Sequence, residues 1–320
     1  MAGGPPAGRR AVGCRDRHVA GLVGTVTEYQ GAVLGLDEET YHAHPALSST
    51  GARQLLEAPA RFEHAQSQPR APRKAFDVGT LAHSKVLGVG AGVAVYPDGA
   101  GDHVFADPET GEEFDNVLAS NGAASTKLAK SFEVWARTQG LVPLKRAEAD
   151  EVNAMAEAVL SHPTARVLLE QAGHPEVSVF GTDPATGVEC RARFDFLGRV
   201  GVDLKTFYGA ATPVKFAKTV ADHGYHVQSA HYEDTLSFIG EQIDAFAFIV
   251  VEKDPPYLVA VFVLDDDYRE IGAARAKRAR ELFAASRDSG VWPGYPSQIQ
   301  IARPPQWAVH DHIDATEAER

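Results

Sequence analysis

Cys14 and Cys190 are the only thiols in 320 residues, so the chain has neither a disulfide framework nor a four-cysteine zinc site. No apolar run approaches the ~18 residues that a membrane span requires. A G-x-x-x-x-G-K-[ST] phosphate loop is absent, as are G-x-S-x-G and any Cys/His nucleophile arrangement. An ATP-driven motor, a serine or cysteine hydrolase and a membrane-embedded protein are thereby set aside. Positive charge is scarce too: 31 Lys and Arg stand against 43 Asp and Glu, a formal net charge of −12. A polyanionic partner would have to be met by a local basic surface, not by the total.

The chain that remains is 44% apolar and 23% charged, long enough to bury a sizeable core, and its thiols fit a reducing, cytoplasmic compartment. Residues 1–30 open with Gly3-Gly-Pro-Pro-Ala-Gly8 and are expected to be a disordered extension. Ala11-Val-Gly-Cys14 imitates a lipoprotein cleavage site, but no apolar stretch precedes it. The acidic residues 311–320 read as a disordered tail. The folded unit is expected over residues 31–310.

Within that unit, Ser48 or Ser49 caps a helix that ends near Pro59, and a second helix starts near Asp77 or Val78 and carries His83. Gly88-Val-Gly-Ala-Gly92 lacks the spacing of a dinucleotide fingerprint and reads as a loop. Residues 148–171 suggest helices broken at Pro163. Three β-rich runs follow, at 176–180, 188–197 and 200–207, with Asp183-Pro-Ala-Thr-Gly187 as a turn. Helices over 212–221 and 225–238, strands over 245–251 and 258–264, and a last helix over 268–286 complete an α/β fold, a central mixed sheet flanked by helices.

Chemistry concentrates in the run Cys190-Arg-Ala-Arg-Phe-Asp195 and in Gly201-Val-Asp-Leu-Lys-Thr206. Strand alternation sends Asp203 and Lys205 to one, solvent-facing side while Val202 and Leu204 pack on the other. The short link between the runs suits a hairpin, which brings Asp195 beside both. Hard oxygen ligands suit Mg²⁺ or Mn²⁺, and an adjacent ammonium can orient a water, equipment for phosphodiester hydrolysis. Taken alone, a D-x-K triplet reads as an ordinary surface ion pair, and the further matches around it reverse that reading.

Asp195 with Asp203-Leu-Lys205 resembles the signature of the PD-(D/E)xK nuclease superfamily, with phenylalanine in place of proline before Asp195. Further segments are similar to the RecE-like (exonuclease VIII type) phage recombination exonucleases: Tyr41-His-Ala-His-Pro, Gly79-Thr-Leu-Ala-His83, Tyr225-His-Val-Gln-Ser-Ala-His-Tyr232, Glu252-Lys-Asp-Pro-Pro-Tyr257, Trp292-Pro-Gly-Tyr295 and Pro305-Gln-Trp307. The resemblance runs in order over about residues 30 to 310. It implies a PD-(D/E)xK nuclease-like core and an Mg-dependent exonuclease degrading one strand of linear double-stranded DNA 5′ to 3′, leaving a 3′ strand for annealing-type recombination. Asp195, Asp203 and His83 would be metal ligands and Lys205 the group acting on the attacking water. Gln228, Tyr232 and Glu176 would support them. Implied partners are DNA ends, a single-strand annealing protein and further copies in a ring-shaped homo-oligomer. The four cysteines of the iron-sulfur variant of this fold are missing.

Other readings stay open on the residues. His83 alone could be an ordinary core or surface histidine, Glu176 a solvated strand-end residue, and Gln228 and Tyr232 buried core partners. His223, His226 and His231 lack the spacing of a zinc site. Lys205, Lys215 and Lys218, with no acidic residue among them, are either solvated or in contact with DNA, as are Arg70, Arg73 and Lys74. Arg275, Lys277, Arg278 and Arg280 read as a solvated helix face. An endonuclease or repair nuclease on the same core, or a catalytically silent DNA-end-binding protein, are the alternatives.

Overall fold

The computed structural model describes residues 29–68, 78–101 and 103–318. The expected N-terminal extension and the Arg70, Arg73, Lys74 cluster lie outside them, apart from residues 29 and 30. The elements, in chain order, are β1 (Gly31–Val33), α1 (Glu38–Ala43), α2 (Ser49–Glu57), α3 (Pro59–Ser67), α4 (Val78–Leu87), β2 (Gly92–Val95), β3 (Phe105–Ala106), β4 (Glu113–Phe114), α5 (Lys127–Thr138), β5 (Leu141–Leu144), α6 (Arg146–Ser161), α7 (Pro163–Leu169), β6 (Gly173–Thr182), β7 (Glu189–Gly198), β8 (Val200–Phe207), α8 (Pro213–His223), α9 (Tyr225–Ser237), β9 (Ala245–Glu252), β10 (Val259–Val263), α10 (Asp266–Ser289) and α11 (Gln306–Ala318).

A six-stranded sheet in the order β1-β6-β7-β8-β9-β10 forms the centre. All its neighbours are antiparallel except β8 and β9, a parallel pair whose crossover is α8 and α9. The mixed sheet of the sequence reading is therefore present, with helices on both faces. On one face Phe194, Phe246 and Phe248 pack with Phe216 and Val220 of α8 and Leu236 of α9. On the other, Val202, Leu204 and Ile249 meet Ala82 of α4 and Met155 and Val159 of α6. Strand alternation produces this division, odd positions of β8 turning to α9 and even ones to α6.

Local chemistry sets the element ends. Ser48 Oγ accepts from Gly51 N–H at 3.2 Å, Thr212 Oγ1 from Lys215 N–H at 3.4 Å and Asp265 Oδ1 from Tyr268 N–H at 3.0 Å, so each helix starts on a side-chain cap. Asp107-Pro-Glu-Thr-Gly111 and Asp183-Pro-Ala-Thr-Gly187 build the same turn twice. In each, the Asp carboxylate accepts the N–H two residues on, at 2.8 and 2.9 Å, and the Gly N–H returns to the Asp carbonyl at 2.8 Å with the Gly at positive φ. Gly272 lets α10 lie against α9, since a Cβ there would stand 2.2 Å from the His226 carbonyl oxygen.

As expected, α2 ends just before Pro59, at Glu57, and Pro59 then opens a new helix, α3, since proline is tolerated at a first helical position. Two expectations need correction. Residues 311–318 of the expected disordered tail are helical: they continue α11, which starts right after Pro304 and Pro305 in a proline-free, alanine-bearing run. Arg280 is not solvated: it is buried between Asp183 Oδ2 at 2.8 Å and Asp234 Oδ2 at 2.7 Å, tying α10 to the turn after β6 and to α9. The lobe of β2 to β5 went unread, its strands being two to four residues long and without a periodic signature. Among the described residues no helix is long and apolar enough to cross a membrane.

Breaking a buried charge network by removing one partner strands the others in low dielectric. Arg280→Ala is therefore expected to lower the unfolding free energy by about 3–5 kcal/mol. Urea denaturation checks this, and a loss below about 1 kcal/mol would mean that Asp183 and Asp234 are effectively solvated.

Candidate active site

The site starts from a fork in the sheet. β7 and β8 pair only at Phe196↔Val202 and Leu197↔Gly201, next to the hairpin, and then part. A parted strand leaves N–H groups that a ladder would have used, and a buried one needs a partner. Asp195 supplies it: its Oδ2 accepts from Leu204 N–H at 2.5 Å. The same Oδ2 lies 2.7 Å from His83 Nε2 on α4. Gly79, one turn earlier, allows α4 this close, because a Cβ there would stand 2.8 Å from Thr206 Oγ1 on β8.

Glu176 comes from the other side. The register Pro175↔Phe196 and Val177↔Phe194 sets it opposite Asp195, yet Glu176 itself adopts φ 51°, in the left-handed region that non-glycine residues avoid. Its carboxylate lies 3.8 Å from His83 Nδ1 and 3.4 Å from Arg193 Nε. One ligand atom each from His83, Glu176 and Asp195 fall within 4.8 Å of one another, a set able to hold a cation. Nitrogen plus carboxylate donors fit a divalent first-row ion or Mg²⁺.

Asp203 stands beside this set and is 3% exposed, not solvent-facing as the alternation suggested, since α9 closes over the odd face of β8. Its Oδ1 accepts from Gln228 Nε2 at 2.6 Å and its Oδ2 is 2.5 Å from Lys205 Nζ. Lys205 Nζ lies 4.8 Å from the centroid of the Tyr225 ring, a further hold on the ammonium. Tyr232, one helical turn beyond Gln228, hydrogen-bonds that amide and packs its ring on Phe194 at 5.1 Å. It reaches Asp203 through Gln228 and belongs equally to the core.

Burial alone would lower the basicity of His83, but the charge of Asp195 and its hydrogen bond, with Glu176 behind, raise its pKa to about 9. Burial would likewise lift Asp195; the charge and hydrogen bond of His83, then Lys205, outweigh it and hold the carboxyl below the usual range. Asp203 is pushed up by burial, against the pull of Lys205. Glu176 goes up through burial and the charge of Asp195. Lys205 would be lowered by burial, but Asp203 and Asp195 raise it, so the lysine is a firm cation. Without a metal, the His83 proton balances the acids; a bound cation would take that proton's place, since ligation requires the neutral imidazole.

The structure thus brings His83, Glu176 and Asp195 into one set and Asp203, Lys205, Gln228 and Tyr232 into a second that touches it. Arg193 was assigned no role from sequence. It hydrogen-bonds Ser178 Oγ at 3.1 Å and the Leu36 carbonyl, flanks Glu176, and stacks 4.7 Å from the Tyr41 ring centroid. The signal was present: Arg191, Arg193 and Asp195 recur every second residue of a strand, hence on one side of it. His226 and His231 are buried and structural. His231 Nε2 bonds the Leu47 and Arg191 carbonyls at 3.1 Å, and burial pushes its pKa down to about 4.

A family model described as a PDDEXK-like domain of unknown function (DUF3799) matches residues 48–305. The crystal structure of a candidate exonuclease from Eubacterium rectale aligns with a TM-score of 0.50 at 13% identity, over 85% of this chain and 96% of that one. Candida albicans Rai1 in complex with pU5-Mn²⁺ aligns at a TM-score of 0.22 and 10% identity, over 82% of this chain and 77% of that one, too distant to inform the fold. No curated protein matches the sequence.

The backbone of Glu176 offers a clean comparison. Glu176→Ala and Glu176→Gly both remove the carboxylate, but only glycine adopts φ 51° without a Cβ clash. The glycine variant is expected to be about 1 kcal/mol more stable than the alanine variant in chemical denaturation. Equal stabilities would show the conformation to be unstrained.

Proposed function

The chain belongs to the family of PDDEXK-like domains DUF3799 and has the PD-(D/E)xK nuclease fold, and on that premise we propose that it is a divalent-metal-dependent exonuclease acting on linear double-stranded DNA. The observation that carries the reading is the convergence, at the β7–β8 fork, of the His83, Glu176, Asp195 set with the Asp203–Lys205 pair. His83, Glu176 and Asp195 would hold the ion, with Asp203 as the further ligand that the resemblance implies. A bound Mg²⁺, or Mn²⁺, would polarise the phosphoryl oxygen and acidify the attacking water. Lys205, kept protonated by its carboxylate neighbours, supplies positive charge to the phosphate as negative charge builds there. Gln228 aims Asp203, and Tyr232 steadies Gln228.

Exonuclease over endonuclease rests on the RecE-like motif set and on the description of the Eubacterium rectale protein. From the same resemblance we extend the proposal to 5′ to 3′ resection of one strand, delivery of the 3′ strand to a single-strand annealing protein, and a ring-shaped homo-oligomer. The ring also suits the charge: an acidic chain gathers more positive potential by focusing the exposed Lys215 and Lys218 of several copies on one duplex than with one open face.

Linear duplex labelled at either the 5′ or the 3′ ends, incubated with and without Mg²⁺, tests the reading. Loss of 5′ label as mononucleotide, dependent on the cation, is expected, and a circular duplex should stay intact. Asp203→Asn should abolish cleavage with the fold retained, whereas Asp203→Ala should also destabilise, leaving Lys205 buried and unpaired. Lys205→Ala should slow cleavage by about two orders of magnitude or more. Near wild-type cleavage by folded Asp203→Asn would sink the assignment.

A further inference from the structure

Immediately beyond the site, the parallel strands β8 and β9 end side by side and present an aromatic ring to solvent. Tyr208 is 77% exposed although it follows Phe207, which is buried in the core. An exposed ring on a rigid support offers an apolar face already oriented for a partner. The support here is fixed: Lys253 N–H donates to the Phe207 carbonyl at 2.8 Å, and Glu252 Oε1 accepts from Ala211 N–H at 2.8 Å, pinning both ends of the segment that carries the ring. The Lys253 ammonium lies 4.5 Å from the ring centroid and 3.4 Å from the phenol oxygen, so one flank of the ring bears a positive charge while most of the ring stays open. Tyr208 lies three positions after Lys205, about 10 Å at the ~3.3 Å rise of a strand. That is roughly three base steps at ~3.4 Å per step.

An open π face beside a cation, a few base steps from phosphodiester chemistry, is what a single nucleic-acid strand uses for binding: bases stack on the aromatic and the backbone phosphate meets the ammonium. Tyr295 and Trp307 are also exposed aromatics, but both lie after α10, not next to the end of a central strand. We propose that Tyr208 is a stacking platform for one nucleobase of the substrate strand, with Lys253 on the adjoining phosphate, setting the strand's register on the site. The inference rests on the nuclease reading and adds to it a residue that touches the base, not the scissile group. Stacking is blind to base identity, so the platform predicts grip without sequence preference.

Binding of fluorescein-labelled single-stranded oligonucleotides, read by anisotropy in Ca²⁺ without Mg²⁺, tests this independently of cleavage. Tyr208→Ala should weaken binding roughly ten- to a hundred-fold, the range for one lost base stack, while Tyr208→Trp and Tyr208→Phe should stay near wild type. Thermal melting should be unchanged in all three, the side chain being exposed. A single abasic position, moved along the strand, should weaken wild-type binding at one place only, and Tyr208→Ala should no longer sense it. Wild-type affinity in Tyr208→Ala, or an abasic effect that persists in it, would overturn the platform. Wild-type protein that binds in this way but does not cut with Mg²⁺ would refute the nuclease reading and leave the platform standing. Absence of any binding by wild type would overturn the platform and leave the nuclease reading to the duplex cleavage assay.

Discussion

The hydrogen bond from Leu204 N–H to Asp195 Oδ2 closes a gap that the sheet cannot close itself. Where β7 and β8 part, a backbone donor would be left inside the molecule without a ladder partner, at a cost of about 1–3 kcal/mol. A side-chain carboxylate fills the vacancy and is thereby fixed in place, one oxygen facing both the backbone donor and His83. The fork also makes room: paired strands stand ~4.8 Å apart and leave no space for an ion or a phosphate between side chains. Seating of α4 through Gly79 on Thr206, the left-handed turn of Glu176 and the reach of Lys205 toward Asp203 all converge on that opening.

Such an arrangement stabilises the fold little. Gathering Glu176, Asp195 and Asp203 puts like charges close together with poor access to water, and the compensation by His83, Lys205 and Arg193 returns roughly what burial removes. What the pairing does provide is a set of donors already oriented, so that a cation and a phosphate would find ligands and positive charge without rearrangement. A backbone in the left-handed region at Glu176 follows the same logic, local strain held by a rigid frame for the aim of one carboxylate. The frame is the two-faced core, Phe194, Phe246 and Phe248 on one side and Val202, Leu204 and Ile249 on the other.

How much of this could be read beforehand follows from range. Alternation placed Asp203 and Lys205 together, the short link after Leu197 made the hairpin, and Ser48 marked a helix start, because each depends on neighbours within a few residues. The layered mixed sheet followed from the order of those elements. Burial of Asp203 was not legible, since it depends on α9 crossing the face of β8 twenty-five residues later through Gln228. Nor was Arg280, whose partners Asp183 and Asp234 lie far off in sequence, so that an arginine within a basic helix looked solvated. Glu176 was named for its position in the resemblance, but its φ of 51° has no local signal, for it is neither glycine nor one of the Asn and Asp residues enriched in that region. Short strands such as β3 and β4, two residues each, carry no period to detect.

The central claim is that His83, Glu176 and Asp195 form one divalent-cation centre beside Asp203. Soaking crystals of the full chain in Mn²⁺ and computing the anomalous difference map tests it most directly. The account predicts a peak within about 2.5 Å of a ligand atom of each of the three residues, the reach of such ions to their donors, lost in Asp195→Ala crystals. A saturating soak that leaves this position empty, or puts the ion on surface carboxylates alone, would contradict it.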